Sequence, residues 1–541
     1  MHTKSRGQHH SVLTAPGFVA INAYLTLIPN HMAATNTATP QGSGMKSLVK
    51  DTAIYGLSSI VGRFLNYLLV PLYTAKLAAS SGGYGVITEV YSYVALLLVL
   101  LTFGMETTFF RFVNKEEADP RRVYSTTLVL VLTVGLAFVC GVLGFLHPIA
   151  AALDYAAHPE FLGMMAVCVA IDAFQCIPFA YLRYQRRPIK FAALKLLFIV
   201  LNISLNLLYF LLLPALYAQL GPDSWVSAIY SPTYGVGYAF AINLVCTALI
   251  TLFFKRELTG FRWTFDRRLA RQMLTYAWPI LILGIAGILN QTADKMLFPR
   301  LVPGHEGKVQ LGIYGASVKI AMIMAMITQA FRYAYEPFVF GKQKDRDNRD
   351  TYAKAMKFFI IFTLLAFLMV MGYIDVLKHI IGPSYWAGLK VVPIVMAAEI
   401  MMGIYFNLSF WYKLTDRTIW GAWFSGAGCA VLIAVNLIFI PEYGYMACAW
   451  AGFAGYATAM LLSYFVGQHY YPIRYPLVSI GVYVCIALLF FGIMQLTAHF
   501  VPQLWLRLLI NSGCILLFIA HTIHYDFPLS NLPVVGKYFR K

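Results

Sequence analysis

Residues 290–341 read NQTADKMLFPRLVPGHEGKVQLGIYGASVKIAMIMAMITQAFRYAYEPFVFG. The opening six residues form the polar end of one apolar segment, and the run from Leu311 to Gly341 predicts a second long helix. That helix carries Lys319, Gln329, Arg332 and Glu336 among Ile, Met and Ala. A charge inside hydrocarbon costs several kcal/mol, about 2.5–3.5 on insertion scales. Several of them in one buried segment demand a water-filled cavity or close partners. An earlier stretch echoes this one. Laid without gaps, Tyr84-Gly85 falls on Tyr314-Gly315, Glu89 on Lys319 and Glu106 on Glu336. Two long helices with polar groups at matched depths imply a duplicated transporter with a cleft between its halves.

The rest of the chain agrees. Of 541 residues, 60% are hydrophobic and 12% charged, and the mean hydropathy is +0.68. A soluble domain of this size cannot hide that much apolar surface, so the fold class is an all-α polytopic membrane protein. The net charge of +18 would suggest a nucleic-acid partner in a soluble protein. Here the Lys and Arg fall mostly in alternate short linkers, as the positive-inside rule expects, and no nucleic acid is implied. The eight Cys are scattered singly through apolar segments without a ligand spacing, and read as small hydrophobes.

From Thr52 onward about fourteen stretches reach the roughly 20-residue length that a bilayer requires. They are 52–76, 84–113, 122–147, 160–183, 190–215, 229–254, 272–299, 311–341, 355–377, 387–412, 417–440, 442–467, 476–500 and 504–524. Linkers 114–122, 183–190, 255–271, 341–357 and the tail 536–541 are basic, whereas 77–83, 147–160, 215–228 and 500–503 contain no Lys or Arg. Both termini are therefore expected in the cytoplasm. Arg300, Lys308 and Lys378 are exceptions, in linkers assigned to the outside.

The longest basic linker separates spans one to six from spans seven to twelve. Six is even, so the halves enter the membrane alike, as parallel repeats. The expected organisation is an N-terminal extension over 1–44, disordered or arising from a start codon assigned too early. An N-lobe follows over 45–257, then a C-lobe over 258–467. Residues 468–541 hold the last two spans and a basic tail. No external linker exceeds about fifteen residues by this span assignment, which counts against a membrane enzyme with an external domain.

Several intramembrane residues are candidate functional groups. Arg63 lies near the middle of span one and shares a helix face with Ser59, Asn66 and Tyr67. It reads either as an anion-binding group in a wet cavity or as half of a buried pair with Asp172 or Glu399. Glu89 and Lys319 occupy equivalent outer positions with opposite sign and would suit an outer gate. Glu106 and Glu336 lie toward the inner ends of their spans. Arg332 and Glu336 stand at i, i+4 and would equally form a simple intrahelical pair. Arg111 sits close enough to the cytoplasm to snorkel. Asn290 and Asp294, and Gln291 and Lys295, are also at i, i+4. Lys195, Asn202 and Asn206 form a stripe that reads as interhelical glue or as a substrate contact, and Gly421, Ser425, Gly428, Gly452 and Gly455 read as tight helix packing. The chain has no G-x-x-x-x-G-K-[ST], no H-E-x-x-H and no metal-ligand cluster. No cofactor or metal is expected. Transport would run on an ion gradient, the membrane potential or the substrate's own gradient.

Three places carry a family resemblance: Tyr55-Gly56-Leu57 through Pro71-Leu72-Tyr73, Gly104-Met105-Glu106 through Arg111-Phe112, and Asn290-Gln291-x-x-Asp294-Lys295 leading to Leu311-Gly312-Ile313-Tyr314. With two six-span lobes and two extra spans, the chain resembles the bacterial flippases for lipid-linked oligosaccharides. These belong to a superfamily that also holds multidrug and toxin extrusion transporters and lipid II flippases. The resemblance implies a flippase rather than an enzyme, moving an undecaprenyl-diphosphate oligosaccharide across the bacterial cytoplasmic membrane for cell-surface polysaccharide biosynthesis. It also implies polysaccharide polymerase machinery as a possible partner. On that reading Arg332, Arg63 and Lys319 form an inner, middle and outer cationic series for the pyrophosphate, because Arg presents a planar fork to phosphate oxygens. Asn66, Tyr67, Asn290 and Gln291 would meet the glycan. Glu89, Glu106, Asp172, Asp294, Glu336 and Glu399 would serve gating or ion coupling. The alternatives are a cation-coupled multidrug antiporter of the same fold, a membrane polysaccharide polymerase or ligase, and a non-catalytic assembly factor.

Overall fold

The computed structural model describes residues 67–115, 119–260, 263–341, 349–415 and 417–526. Arg63 and Asn66 lie outside the described residues, as does the side chain of Glu336. The described residues are helical, with no strand among them.

The long elements are α1 (Leu69–Lys76), α2 (Gly83–Thr102), α3 (Met105–Val113), α4 (Pro120–Gly144), α5 (Pro159–Tyr184), α6 (Pro188–Leu207) and α7 (Gly237–Leu252). They continue as α8 (Arg267–Leu301), α9 (His305–Gly341), α10 (Arg349–Gly372), α11 (Val392–Leu408), α12 (Ile419–Tyr443), α13 (Tyr445–Tyr470), α14 (Leu477–Phe500) and α15 (Leu504–Tyr525). Among the described residues, 12 helical segments are long and apolar enough to cross a membrane, and α7 is a shorter apolar helix. These thirteen follow expected spans two to fourteen in order. Most of expected span one lies outside the described residues, and α1 is its end.

Local chemistry explains the helix ends. Pro120, Pro159 and Pro188 each stand in the first turn of their helix, where a missing N–H costs nothing and the ring presets φ. Asp119 accepts from the Arg121 N–H, and Asp266 accepts from the N–H groups of Arg268 and Leu269, satisfying otherwise orphaned donors. Expected span two is not one helix. It breaks at Phe103 and Gly104, both left-handed at φ 53° and 65°, dividing α2 from α3. A Cβ on Gly104 would also sit 2.8 Å from Ile280 Cγ2. Expected span five contains a π turn at Leu208–Leu212 ahead of Pro214. Such a turn absorbs the ring and the missing N–H of a proline inside a helix.

The described residues form two compact units. One comprises the residues up to Gly315 with Asn436–Tyr445; the other comprises Ala316–Val435 and the part after Met446. In the first, α2, α4, α5 and α8 surround a core that includes Phe109, Tyr124, Val169, Ile177 and Met273. Tyr124 stacks on Tyr181 at 4.0 Å. The long basic linker is tied down here: Arg122 pairs with Asp266 at 2.8 Å, and Ser125 Oγ donates to the Thr264 carbonyl at 2.8 Å.

In the second unit α10 packs against α11, α14 and α15. The last helix is pinned to α10 by polar contacts at both ends, and α14 joins it at one of them. At one end Lys357 pairs with Asp526, which also accepts from Tyr483 Oη at 2.5 Å. At the other, Arg507 and Lys378 both hold Asp375, and Asn511 Nδ2 donates to the Gly372 carbonyl at 2.8 Å. α12 and α13 cross where a Cβ on Gly428 would fall 2.7 Å from the Gly455 oxygen. Gly452 faces open space instead, so only part of the expected small-residue stripe is a packing seam.

Candidate functional site

In the first unit, polar groups gather in three places. Glu89 is fully buried on α2, where Tyr155 Oη donates to its Oε2 at 2.7 Å. The cations acting on it are Lys308 and Arg300. Tyr155 lies on the linker before α5, and burial, with the Glu89 carboxylate beside it, pushes its hydroxyl well above the ordinary phenol range. Around this pair α2 and α9 meet backbone to backbone: a Cβ on Gly85 would lie 1.8 Å from the Lys308 carbonyl oxygen, and one on Gly312 would lie 2.9 Å from the Gly85 nitrogen.

The second place is the polar end of α8. Tyr314 Oη donates to Asp294 Oδ2 at 2.7 Å, and Lys295 Nζ donates to both Asp294 oxygens at 3.0 Å. Lys295 also reaches the Gln291 carbonyl at 2.9 Å. Asn290 turns back on its own helix, donating from Nδ2 to the Ala286 carbonyl at 3.1 Å. Gln291 is half-buried. Lys295 thus meets its i−4 neighbour only at the backbone, and its carboxylate partner is the adjacent Asp294, held by a tyrosine one helix away.

The third place is the ionic group on α3, α5 and α6. Glu106 pairs with Arg183, and Cys176 Sγ donates to its other oxygen at 3.0 Å. Asp172 accepts from Thr247 Oγ1 at 3.3 Å and lies in the field of Lys195. Lys195 is exposed within α6 and extends over the Phe179 ring at 4.1 Å. The asparagines of the same stripe act as glue: Tyr73 Oη donates to Asn206 Oδ1 at 2.7 Å, and Asn206 Nδ2 donates to the Asn202 carbonyl at 2.8 Å. Arg111 is exposed and lies over the Tyr276 ring at 4.0 Å.

In the second unit, Arg332 projects from α9 into a small pocket lined by Phe331, Tyr335, Phe359, Phe406, Asn407 and Phe410. Its guanidinium lies 4.9 Å from the Phe406 ring centroid, within cation–π range. Lys319 and Glu399 are half-buried in this unit, and each is engaged by a neighbour.

Sequence reasoning missed Arg183 and Tyr155. Arg183 stands in a linker read as merely basic, and no pattern marks Tyr155. Lys308 carried a signal as an exception to the charge rule, and Tyr314 as half of the Tyr-Gly echo. Among the described residues no group of three or more His, Cys, Asp or Glu would hold a metal ion.

Comparison with known proteins gives these polar groups a context. A family sequence model described as polysaccharide biosynthesis protein matches residues 48–334, more than half of the chain. No curated protein matches by sequence. The fold is similar to that of the lipid II flippase MurJ in an inward closed conformation, with TM-score 0.65 and 14% identity over 87% of this chain and 98% of that one. It is also similar to a multidrug resistance MATE family transporter of the MOP superfamily in its inward-facing conformation. There the TM-score is 0.56 and the identity 14% over 83% of this chain and 97% of that one.

Proposed function

The chain belongs to the polysaccharide biosynthesis protein family, and from that premise we propose that it is a flippase. It translocates an undecaprenyl-diphosphate-linked oligosaccharide across the cytoplasmic membrane by alternating access. The two repeats, 45–257 and 258–467, rock about the head group while the prenyl chain stays in lipid. Both termini face the cytoplasm, and the linkers without Lys or Arg face outward.

The observation that carries this reading is Arg332 in its aromatic pocket. The guanidinium supplies the fork that a diphosphate requires. The rings and the Asn407 amide suit sugar faces and hydroxyls. Lys195 adds a second cation within an apolar span, set beside the carboxylate of Asp172. Arg63, Lys319, Asn66, Asn290 and Gln291 would extend the path, and Asp172, Asp294 or Glu399 would bind a coupling cation. Moving one head-group charge through the membrane field changes its energy by about 2.3 kcal/mol per 100 mV, so the potential alone would also drive export of an anion.

The test is the pool of lipid-linked oligosaccharide in cells depleted of the protein. A pool trapped on the inner leaflet is expected, cleared by the wild type and not by Arg332→Ala. Clearance by Arg332→Ala would return Arg332 to a packing role. An untrapped pool with new sensitivity to cationic dyes would replace the flippase with a drug antiporter.

A further inference from the structure

Arg300 and Lys308 stand where the charge rule disfavours cations, at the end of the helices assigned to the outside. The structure gives both of them work. Arg300 Nη1 donates to the Ala152 carbonyl at 2.5 Å. Lys308 Nζ donates to the backbone and the side chain of Asp154, each at 2.9 Å. Asp154 is left-handed at φ 63°, an uncommon conformation for a residue other than glycine, and Lys308 grips it from both sides. Close by, the His305 imidazole donates from Nε2 to the Ser80 carbonyl at 2.7 Å. Tyr155, the next residue after Asp154, hangs on the buried Glu89.

All four contacts surround the place where α2 and α9 cross at Gly85 and Gly312. Their chemistry differs from that of a core. Three of them join the end of α8 and the first turn of α9 to two linkers of the preceding repeat, and Tyr155–Glu89 ties one of those linkers to α2. Apart from the Glu89 pair they lie at the surface, where single ion pairs are weak and readily exchanged with water. A permanent joint would be built of buried apolar side chains, as it is around Phe109. A joint that must part in every cycle is better built of polar contacts.

We propose that Lys308–Asp154, Arg300–Ala152, His305–Ser80 and Tyr155–Glu89 form a latch. It holds the outer ends of α2 and α9 together and parts when the transporter opens outward. The proposal rests on the alternating-access reading above. The latch also explains the unexpected placement of the two cations: one holds a carboxylate of the neighbouring repeat and the other a carbonyl.

Thr88 reports on the joint, because its hydroxyl lies against Gly315, where a Cβ would come within 2.5 Å of it. The experiment uses the full chain in membranes with Thr88→Cys and a membrane-impermeant maleimide added from outside. Labelling above that of the protein without this cysteine is followed over time. Lys308→Asp and Asp154→Lys should each raise the rate several-fold, and the double charge swap should bring it back. Lys308→Met, which deletes the charge without reversing it, should give the same rise if the reversals do not fold. Unchanged rates in the single variants, or a double variant as fast as the singles, would overturn the latch. Labelling only by reagent trapped inside would overturn its outer placement. Since labelling does not depend on any glycan crossing, a latch that behaves as expected in a protein that moves no lipid-linked oligosaccharide would leave the latch standing and sink the flippase.

Discussion

The pair Glu106–Arg183 shows what individual charges do in this fold. Both side chains are largely buried, at 13% and 10% exposure. Removing one partner of such a pair leaves a largely buried charge without its main counter-charge, which in soluble proteins costs about 3–5 kcal/mol. Arg183→Met is therefore expected to lower the melting temperature of the purified protein by more than the double variant Glu106→Gln/Arg183→Met. Equal losses would mean that water, and not Arg183, solvates Glu106. Asp266 makes the complementary case at the surface. Its carboxyl is held below the usual range, first by the Leu269 N–H and then by Arg122 and the Arg268 N–H. A depressed carboxyl contributes stability above its unfolded value of about 3.9, and that contribution is lost as pH falls through the folded value. Melting curves between pH 7 and 3 should fall less steeply for Asp266→Asn than for the wild type. Parallel curves would show that the cap and the Arg122 pair contribute nothing.

The helices are interrupted where the chemistry needs them to be. The break between α2 and α3 places Glu106 in the first turn of a new helix, where a carboxylate is favoured by the exposed N–H groups. That break depends on Gly104. An L-residue there pays roughly 1–2 kcal/mol for the left-handed backbone, and its Cβ meets Ile280 as well. Gly104→Ala should thus destabilise by at least about 1 kcal/mol and reduce clearance of the lipid-linked pool. Gly141→Ala, on an open face of α4, should do neither. Matching behaviour of the two variants would remove the break from any role in transport.

Topology belongs to the whole molecule. By linker charge, 215–228 is expected outside and 255–271 inside. A cysteine at Asp223 should react with impermeant maleimide on intact cells, and one at Arg256 only after permeabilisation. The reverse pattern would invert the protein and, with it, the direction of transport. The packing of α14 and α15 against α10, with α15 pinned to it at both ends, makes the last two helices part of the second unit, although they lie outside the expected duplication.

The sequence by itself determined that this is a helical membrane protein, the order of its apolar helices from 84 onward, and which family it belongs to. Each of these follows from apolar length and linker charge, or from residue order along one chain. It also marked which charges fall within apolar runs, because an Asp, Glu, Lys or Arg in such a run is visible without coordinates. Only the tertiary structure decided what those charges meet. Glu89 finds Tyr155, Glu106 finds Arg183, and Arg332 lies over Phe406, because partners in a helical bundle are chosen by how helices rotate and cross. A crossing such as Gly85 on Gly312 depends on side chains from two distant segments at once, and no periodicity in either segment records it.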